Sequence, residues 1–185
     1  MARRLATSSE ARARRTETLR EISAITNLSK AMIAAEHLLS VAKRDAQALA
    51  EERDDSEKDA LMRAYGLSPE DKLPPNLRAE FKALEENQKR RGTRALRDGI
   101  DRIFTDAESF FRDAMSLQLG TGAELINPEF EAELVDRANA SSVSQTIEIL
   151  DSITQSRLRL AANVRDLLVL EALCTRFISR SELAA

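Results

Sequence analysis

The two side chains best suited to chemistry in this sequence are its one histidine, His37, and its one cysteine, Cys174. A nucleophilic thiol needs a neighbouring base or cation to hold it as thiolate. Cys174 lies instead in the apolar run LLVLEALCTRFI, where a thiol is expected to be buried, raised in pKa and inert. His37 stands beside Glu36 in a stretch patterned as helix, and a lone imidazole there reads as an ordinary helical residue. One His and one Cys give no repeated ligand spacing for zinc, and the paired Glu-x-x-His motifs of a carboxylate-bridged metal site are absent. The phosphate loop GxxxxGK[ST] and the dinucleotide glycine fingerprint are missing too, and the Gly-Thr-Gly at 120–122 follows a helical pattern rather than a strand. The sequence assigns no catalytic residue, no cofactor and no metal ligand, and the chain reads as a non-enzyme.

Charge offers the next candidates. Arg3, Arg4, Arg12, Arg14, Arg15 and Arg20 cluster near the start, and Lys89, Arg90, Arg91, Arg94 and Arg97 form a second group. Either can meet phosphate. Neither is interleaved with aromatics for base stacking and both have Glu neighbours, so contact with DNA would be confined to the backbone and indirect. The competing reading is a charged, solubilising helix face. The formal net charge of −3 gives no overall pull toward nucleic acid or anionic lipid. The alternating charges of Glu51 to Arg63 read as the solvated side of a coiled coil.

The elements that must position these residues are helices. The 185 residues are 43% hydrophobic but only 4% aromatic, so the core must be built from Leu, Ile, Val and Ala, and only 5 Gly and 4 Pro interrupt it. Such a composition predicts an all-α chain. A single cysteine forms no internal disulfide, no apolar stretch near 20 residues can span a membrane, and MARRLATSSE lacks the apolar core of a secretion signal. The expected location is cytoplasmic, with no membrane partner.

Ser8 or Ser9 is expected to cap a first helix running to about Ile25, and Asn27 to cap a longer one. In that longer helix Leu28, Met32, Ala35, Leu39, Ala42, Ala46 and Leu49 recur at helical spacing, resuming at Ala60, Leu61 and Ala64, with Gly66 as C-terminal cap. GLSPEDKLPP must be a chain reversal. Leu77, Phe81, Leu84, Gln88, Arg91 and Ala95 then follow heptad-like spacing, which predicts a long, projecting antiparallel coiled-coil hairpin. Beyond Ala95 the apolar stripe widens through Ile100, Ile103, Phe104, Phe110 and Phe111, as expected of a helix entering a core, with Gly92 and Gly99 as the expected kinks. Asn127-Pro128 reads as a cap and first turn, Ser141 or Ser142 as the next cap, and Asn163 as the cap of the last helix. That last helix is apolar around most of its circumference, so it is either a central core helix or an inter-subunit contact.

Several strings together resemble the C-terminal part of the delta-prime subunit family of the bacterial DNA polymerase III clamp loader, especially its actinobacterial form. They are FFRDAMSLQLG at 110–120, ELIN at 124–127 and SRLRLAANVRDLLVLEAL at 156–173, the last similar to the family's R-x-x-L-x-x-N-V-x-x-x-L-x-L-E collar signature. ARRLATSSEARARR at 2–15 resembles the family's exit from the lid of its ATPase-type module. The resemblance implies a helical collar domain without that module, whose zinc-binding cysteines and Ser-Arg-Cys arginine-finger motif have no counterpart here. The family often has proline after Asn-Val, where this chain has Arg165 and Asp166.

On this reading residues 1–26 form a basic N-terminal helix at the junction with the missing module, 27–95 the hairpin, and 96–185 the collar bundle. The resemblance implies a structural, oligomerising role in DNA replication, with other clamp-loader subunits of the delta and tau/gamma type as partners. Expected at the subunit interface are Leu167, Leu168, Leu170, Leu173 and Phe177, with Arg157, Arg159 and Arg176 as candidates for inter-subunit ion pairs or for local surface bonds. The alternative is a free-standing coiled-coil adaptor or helical nucleic-acid-binding protein.

Overall fold

The computed structural model describes residues 2–68, 71 and 74–179. It is all-α: the described residues form α1 (Ala2–Ser23), α2 (Leu28–Ala64), α3 (Arg78–Leu119), α4 (Glu131–Ala140), α5 (Val143–Ala161) and α6 (Asp166–Arg176), with single 3₁₀ turns at Pro75–Leu77 and Pro128–Phe130. The chain divides into two compact units, one of Met1–Val41 with Ile100–Ala185 and one of Ala42–Gly99. Both boundaries fall inside helices.

In the first unit α1 begins before Ser8 and Ser9, contrary to the capping expectation. No Gly or Pro interrupts 2–23, and Ala, Arg, Leu and Glu are strong helix formers, so serine alone does not start the helix. Asn27 does cap α2: its Oδ1 accepts from Lys30 N at 2.9 Å and its carbonyl from Ala31 N at 3.0 Å. Ser142 caps α5 in a reciprocal box with Gln145.

Asn163 behaves differently from expectation. It sits at φ 62° and ends α5 rather than starting α6; its N–H reaches Leu160 O at 3.1 Å and the Val164 N–H reaches Arg159 O at 3.1 Å. This is a Schellman ending, and Asn tolerates the left-handed conformation better than other non-glycine residues. Gly120 closes α3 the same way.

The core of this unit takes Leu19, Ile22 and Ile25 from the α1 end, Leu38 from α2, Ile100, Ile103, Phe104, Phe110 and Phe111 from α3, Leu134 from α4, Ile153 from α5 and Leu170 from α6, all nearly inaccessible. Phe111 is central: its ring meets Phe110 edge-on at 5.5 Å and Phe177 at 4.8 Å, and the Arg137 guanidinium lies 5.1 Å from its centroid.

The second unit is a pair of antiparallel helical segments. Asp54 meets Gln88 and Arg91, while Tyr65, later in the chain, meets Glu80, which is earlier than Gln88. Its apolar cluster is small: Met62, Leu77 and Phe81 are buried, with Leu61 and Leu67 packed against them. Ala60 and Ala64, expected in the apolar row, are exposed, and Met62 takes their place. Gly66, at φ 67°, closes α2 with Leu67 N bonded to Met62 O at 2.9 Å.

α3 runs through both Gly92 and Gly99. A Cβ on Gly92 would meet nothing within 4 Å, whereas one on Gly99 would lie 3.2 Å from Ala42 Cβ and 3.3 Å from its Cα. Gly99 therefore serves close helix approach.

Candidate functional site

The helical pair α5–α6 carries the residues expected at an interface, and the fold separates them into two sets. α5 packs on α6 through the Asn163 turn. Leu170, Leu173 and Phe177 are 0%, 2% and 2% exposed, so they pack inside their own chain and are unavailable to a partner. This corrects the expectation for those three, and Val169 and Cys174 join them in the core. Leu168 is on the other side, 54% exposed, and Leu167 is half-buried. Leu158, on α5, is 59% exposed and Ile147, about three turns earlier on the same helix, is 46% exposed. The outward apolar surface of this pair is thus Ile147, Leu158 and Leu168.

Arg157 is used locally. Its Nε donates to Asp101 Oδ1 at 2.9 Å, Nη1 to Glu108 Oε2 at 3.0 Å and Nη2 to Thr105 Oγ1 at 3.1 Å, tying α5 to α3. A guanidinium holding three acceptors of its own chain is a fold clamp, the local-bond alternative of the two expected for it. Arg159 and Arg176 are exposed. Of the interface set, Arg159, Leu168 and Arg176 are exposed and Leu167 is half-buried.

A second constellation links α1, α3 and the loop after α3, and sequence reading missed it. Arg15 donates to Asp106 Oδ1 at 2.7 Å, to Ser109 Oγ at 3.0 Å and to Asn127 Oδ1 at 2.6 Å. Asn127, expected as a helix cap, makes no side-chain cap bond. Its amide instead donates to Asp113 Oδ2 at 2.8 Å, and Asp113 also accepts the Ile126 and Asn127 N–H groups at 2.9 and 2.8 Å. Both Asn127 and Asp113 are buried, so each polar atom needs its partner, and Asn127 is drawn inward to meet that need. Burial raises the Asp106 carboxyl above its ordinary range despite Arg15 and Arg102. The sequence signal was the pair of polar residues Asp106 and Asp113, spaced on one face of a helix otherwise entering a core.

The remaining candidates resolve as follows. Burial, with the charge of Glu21 adding to it, pushes the Cys174 thiol up to about 12, so it is a neutral core group. His37 is exposed, with Nδ1 3.3 Å from Glu21 Oε1. No group of His, Cys, Asp or Glu among the described residues is arranged to hold a metal. The side chains of Arg3 and Arg4 lie outside the described residues. Arg12 and Arg20 are exposed, and Arg15 is engaged in the network above. In the second basic group Arg91 donates to Asp54 Oδ1 at 2.8 Å and to Glu57, and Arg90 to Asn87 Oδ1 at 2.9 Å. These bonds divert two of its cations toward the chain's own acceptors. No helix among the described residues is long and apolar enough to cross a membrane.

No family model, curated protein or solved structure matches this chain. The functional reading therefore stands on its residues. The outward face of α5–α6 coincides with the string SRLRLAANVRDLLVLEAL: Leu158 and Leu168 flank the Asn163 turn at its centre. Leu158 and Leu168 are the exposed large apolar side chains nearest the turn, and the exposed Arg159 and Arg176 lie on the same two helices.

Proposed function

We propose that this chain is a collar-type assembly domain of a clamp-loader subunit similar to delta-prime, working in DNA replication by binding neighbouring subunits and catalysing nothing itself. The observation that carries the reading is the helical pair α5–α6, which spans the collar-like string and leaves Leu158 and Leu168 more than half exposed while Ile149, Ile153, Leu160, Val169, Leu170 and Leu173 fill the core. Soluble chains expose single apolar residues routinely, but two on either side of one tight turn, with exposed arginines on the same two helices, suit a protein interface. The partners are other clamp-loader subunits of the delta and tau/gamma type, any DNA contact is indirect, and the working location is the cytoplasm. The adaptor or nucleic-acid alternative draws less support, because Arg91 and Arg15 are committed to acidic partners within the chain.

The test is size-exclusion chromatography with light scattering, on the chain mixed with delta and tau/gamma subunits. Co-elution is expected with the wild-type chain and is expected to be lost with Leu158→Asp and Leu168→Asp, whose circular dichroism should be unchanged because both sites are exposed. Co-elution that survives both substitutions would remove this face from the assembly. No co-elution by the folded wild-type chain would count against the collar reading.

A further inference from the structure

A small cavity of the first unit gathers charge from three helices. Its volume is about 110 Å³, room for roughly three or four waters at ~30 Å³ each. Arg137 comes to it from the last turn of α4, Gln145, Glu148 and Ile149 from the first half of α5, and Arg176 from the last turn of α6, with Ile178 just beyond. Two arginines far apart in sequence thus line one enclosure.

Each group is placed by a separate cause. The Arg137 guanidinium lies 5.1 Å from the centroid of Phe111, which is 1% exposed, so cation–π attraction holds that charge against the core. Arg176 is exposed and free of core packing, so it can turn toward what enters. Two hydroxyls of the wall are committed within the chain: Ser141 Oγ donates to Arg137 O at 2.9 Å and Thr175 Oγ1 to Glu171 O at 2.7 Å. Gln145 Oε1 accepts the Ser142 N–H at 2.8 Å in the capping box, which fixes the amide with Nε2 as its donor end. Arg137, Arg176 and Gln145 therefore bring nitrogen donors to the cavity, two of the three cationic, against the one carboxylate of Glu148.

We infer that this cavity binds a carboxylate on a short aliphatic stem, received by Arg137 and Arg176. Charge sets the head group. Two guanidinium groups against Glu148 leave one positive charge in excess, which a carboxylate neutralises. A phosphate dianion would exceed that charge and stand beside Glu148, and an ammonium group would meet two like charges. The planar guanidinium fork also matches the two oxygens of a carboxylate. Ile149 and Ile178, 5% and 6% exposed, supply the apolar part of the lining and suit the methylenes of the stem. Size sets the limit, since the cavity lies below the roughly 300–1,000 Å³ of pockets for drug-sized ligands, and only a group of a few heavy atoms enters. A free short-chain carboxylic acid and a glutamate side chain of a partner protein share this chemistry. The inference shares the exposed Arg176 with the collar reading but uses neither Leu158 nor Leu168, and it stands without that reading.

The test is a titration of the full, isotopically labelled chain with sodium butyrate, followed by amide shifts in NMR, with n-butanol and sodium phosphate as controls at equal ionic strength. Saturable binding on the order of 1–10 mM is expected for a ligand of about six heavy atoms, with shifts at Gln145, Glu148 and Ile178. Butanol should give none, and phosphate should bind more weakly than butyrate. Arg176→Gln should weaken butyrate binding roughly tenfold and Glu148→Gln should strengthen it; both positions are exposed, so the fold should survive either change. A blocked Ala-Glu-Ala peptide that binds as well as butyrate at the same residues assigns the site to a partner's glutamate, and butyrate binding without peptide binding assigns it to a free acid. No saturable shift in the wild-type chain, equal shifts with butanol, tighter binding of phosphate, or undiminished binding by Arg176→Gln would each overturn the inference.

Discussion

The two units differ in what holds them. Residues 1–41 with 100–185 enclose a continuous core of Leu, Ile and Phe and, beside it, a buried polar network in which Asp113 satisfies three donors. Among the described residues, 42–99 bury Ala42, Ala46 and a small apolar cluster of Met62, Leu77 and Phe81, alongside the close approach at Gly99 and surface ion pairs of Arg91 with Asp54 and Glu57. Surface pairs of this kind are worth about 0–1 kcal/mol each, whereas a fully buried Phe or Leu is worth several times that. The lesson is that equal helicity does not mean equal stability: the second unit should open at lower free-energy cost than the first.

The largest test of that contrast is truncation of its central aromatics. Phe111→Ala should cost about 3–5 kcal/mol and accelerate hydrogen exchange throughout the first unit, because it removes contacts with Phe110 and Phe177 together. Phe81→Ala should raise exchange within 42–99 and leave 100–179 protected; equal effects on both segments would mean the chain unfolds as one cooperative body. Next comes Asp113→Ala, which strands the Ile126 and Asn127 N–H groups and the Asn127 amide, at a cost of about 1–3 kcal/mol or more by urea denaturation. A cost near zero would show that water replaces the carboxylate.

Within the second unit the glycines give a sharper and smaller comparison. Gly92→Ala has open space and should gain up to about 1 kcal/mol from helix propensity. Gly99→Ala should forfeit that gain, because its methyl would lie 3.2 Å from Ala42 Cβ. Equal stabilisation by both would mean that the helices separate freely at that point.

The smallest effect is electrostatic and has opposite signs in the two units. Hydrogen bonds from Arg91 and then Arg53 hold the Glu57 carboxyl below its ordinary value of 4.5. A group whose folded pKa is depressed contributes stability above its unfolded pKa and loses it as pH falls through the folded one, so the second unit should weaken as pH drops below about 4.5. Asp106, raised by burial from 3.8, works the other way: the folded state takes up the proton first, so its own contribution grows as pH falls toward 3.8. Glu57→Gln should flatten the acid limb of exchange in 42–99 only, and Asp106→Asn should raise first-unit stability at neutral pH relative to pH 3.8.

Much of this architecture was legible in local residue chemistry. Asn27, Gly66 and Ser142 act as the caps their types suggest, and the helical spacing of Leu77 and Phe81 puts both in the second unit's cluster. Elsewhere tertiary demand overrode local preference. Asn127 and Asn163 look alike in sequence, yet one is pulled into a buried network and the other ends a helix at positive φ. A helix as apolar as α6 does not reveal its inward face, because the pattern is nearly uniform around it; only packing showed that Leu170 and Leu173 face in and Leu168 faces out. Gly99, suggested as a kink, is a contact, since a missing side chain signals flexibility and close approach equally well.

The most direct measurement of the assembly claim is hydroxyl-radical footprinting of the chain alone and in complex with delta and tau/gamma subunits. Protection of Leu158 and Leu168 on complex formation, with Phe111 and Leu170 unreactive in both states and 42–99 unchanged, is the result predicted. Binding that protects Lys89, Arg90 and Arg94 of the second unit while Leu158 and Leu168 keep their full reactivity would contradict it.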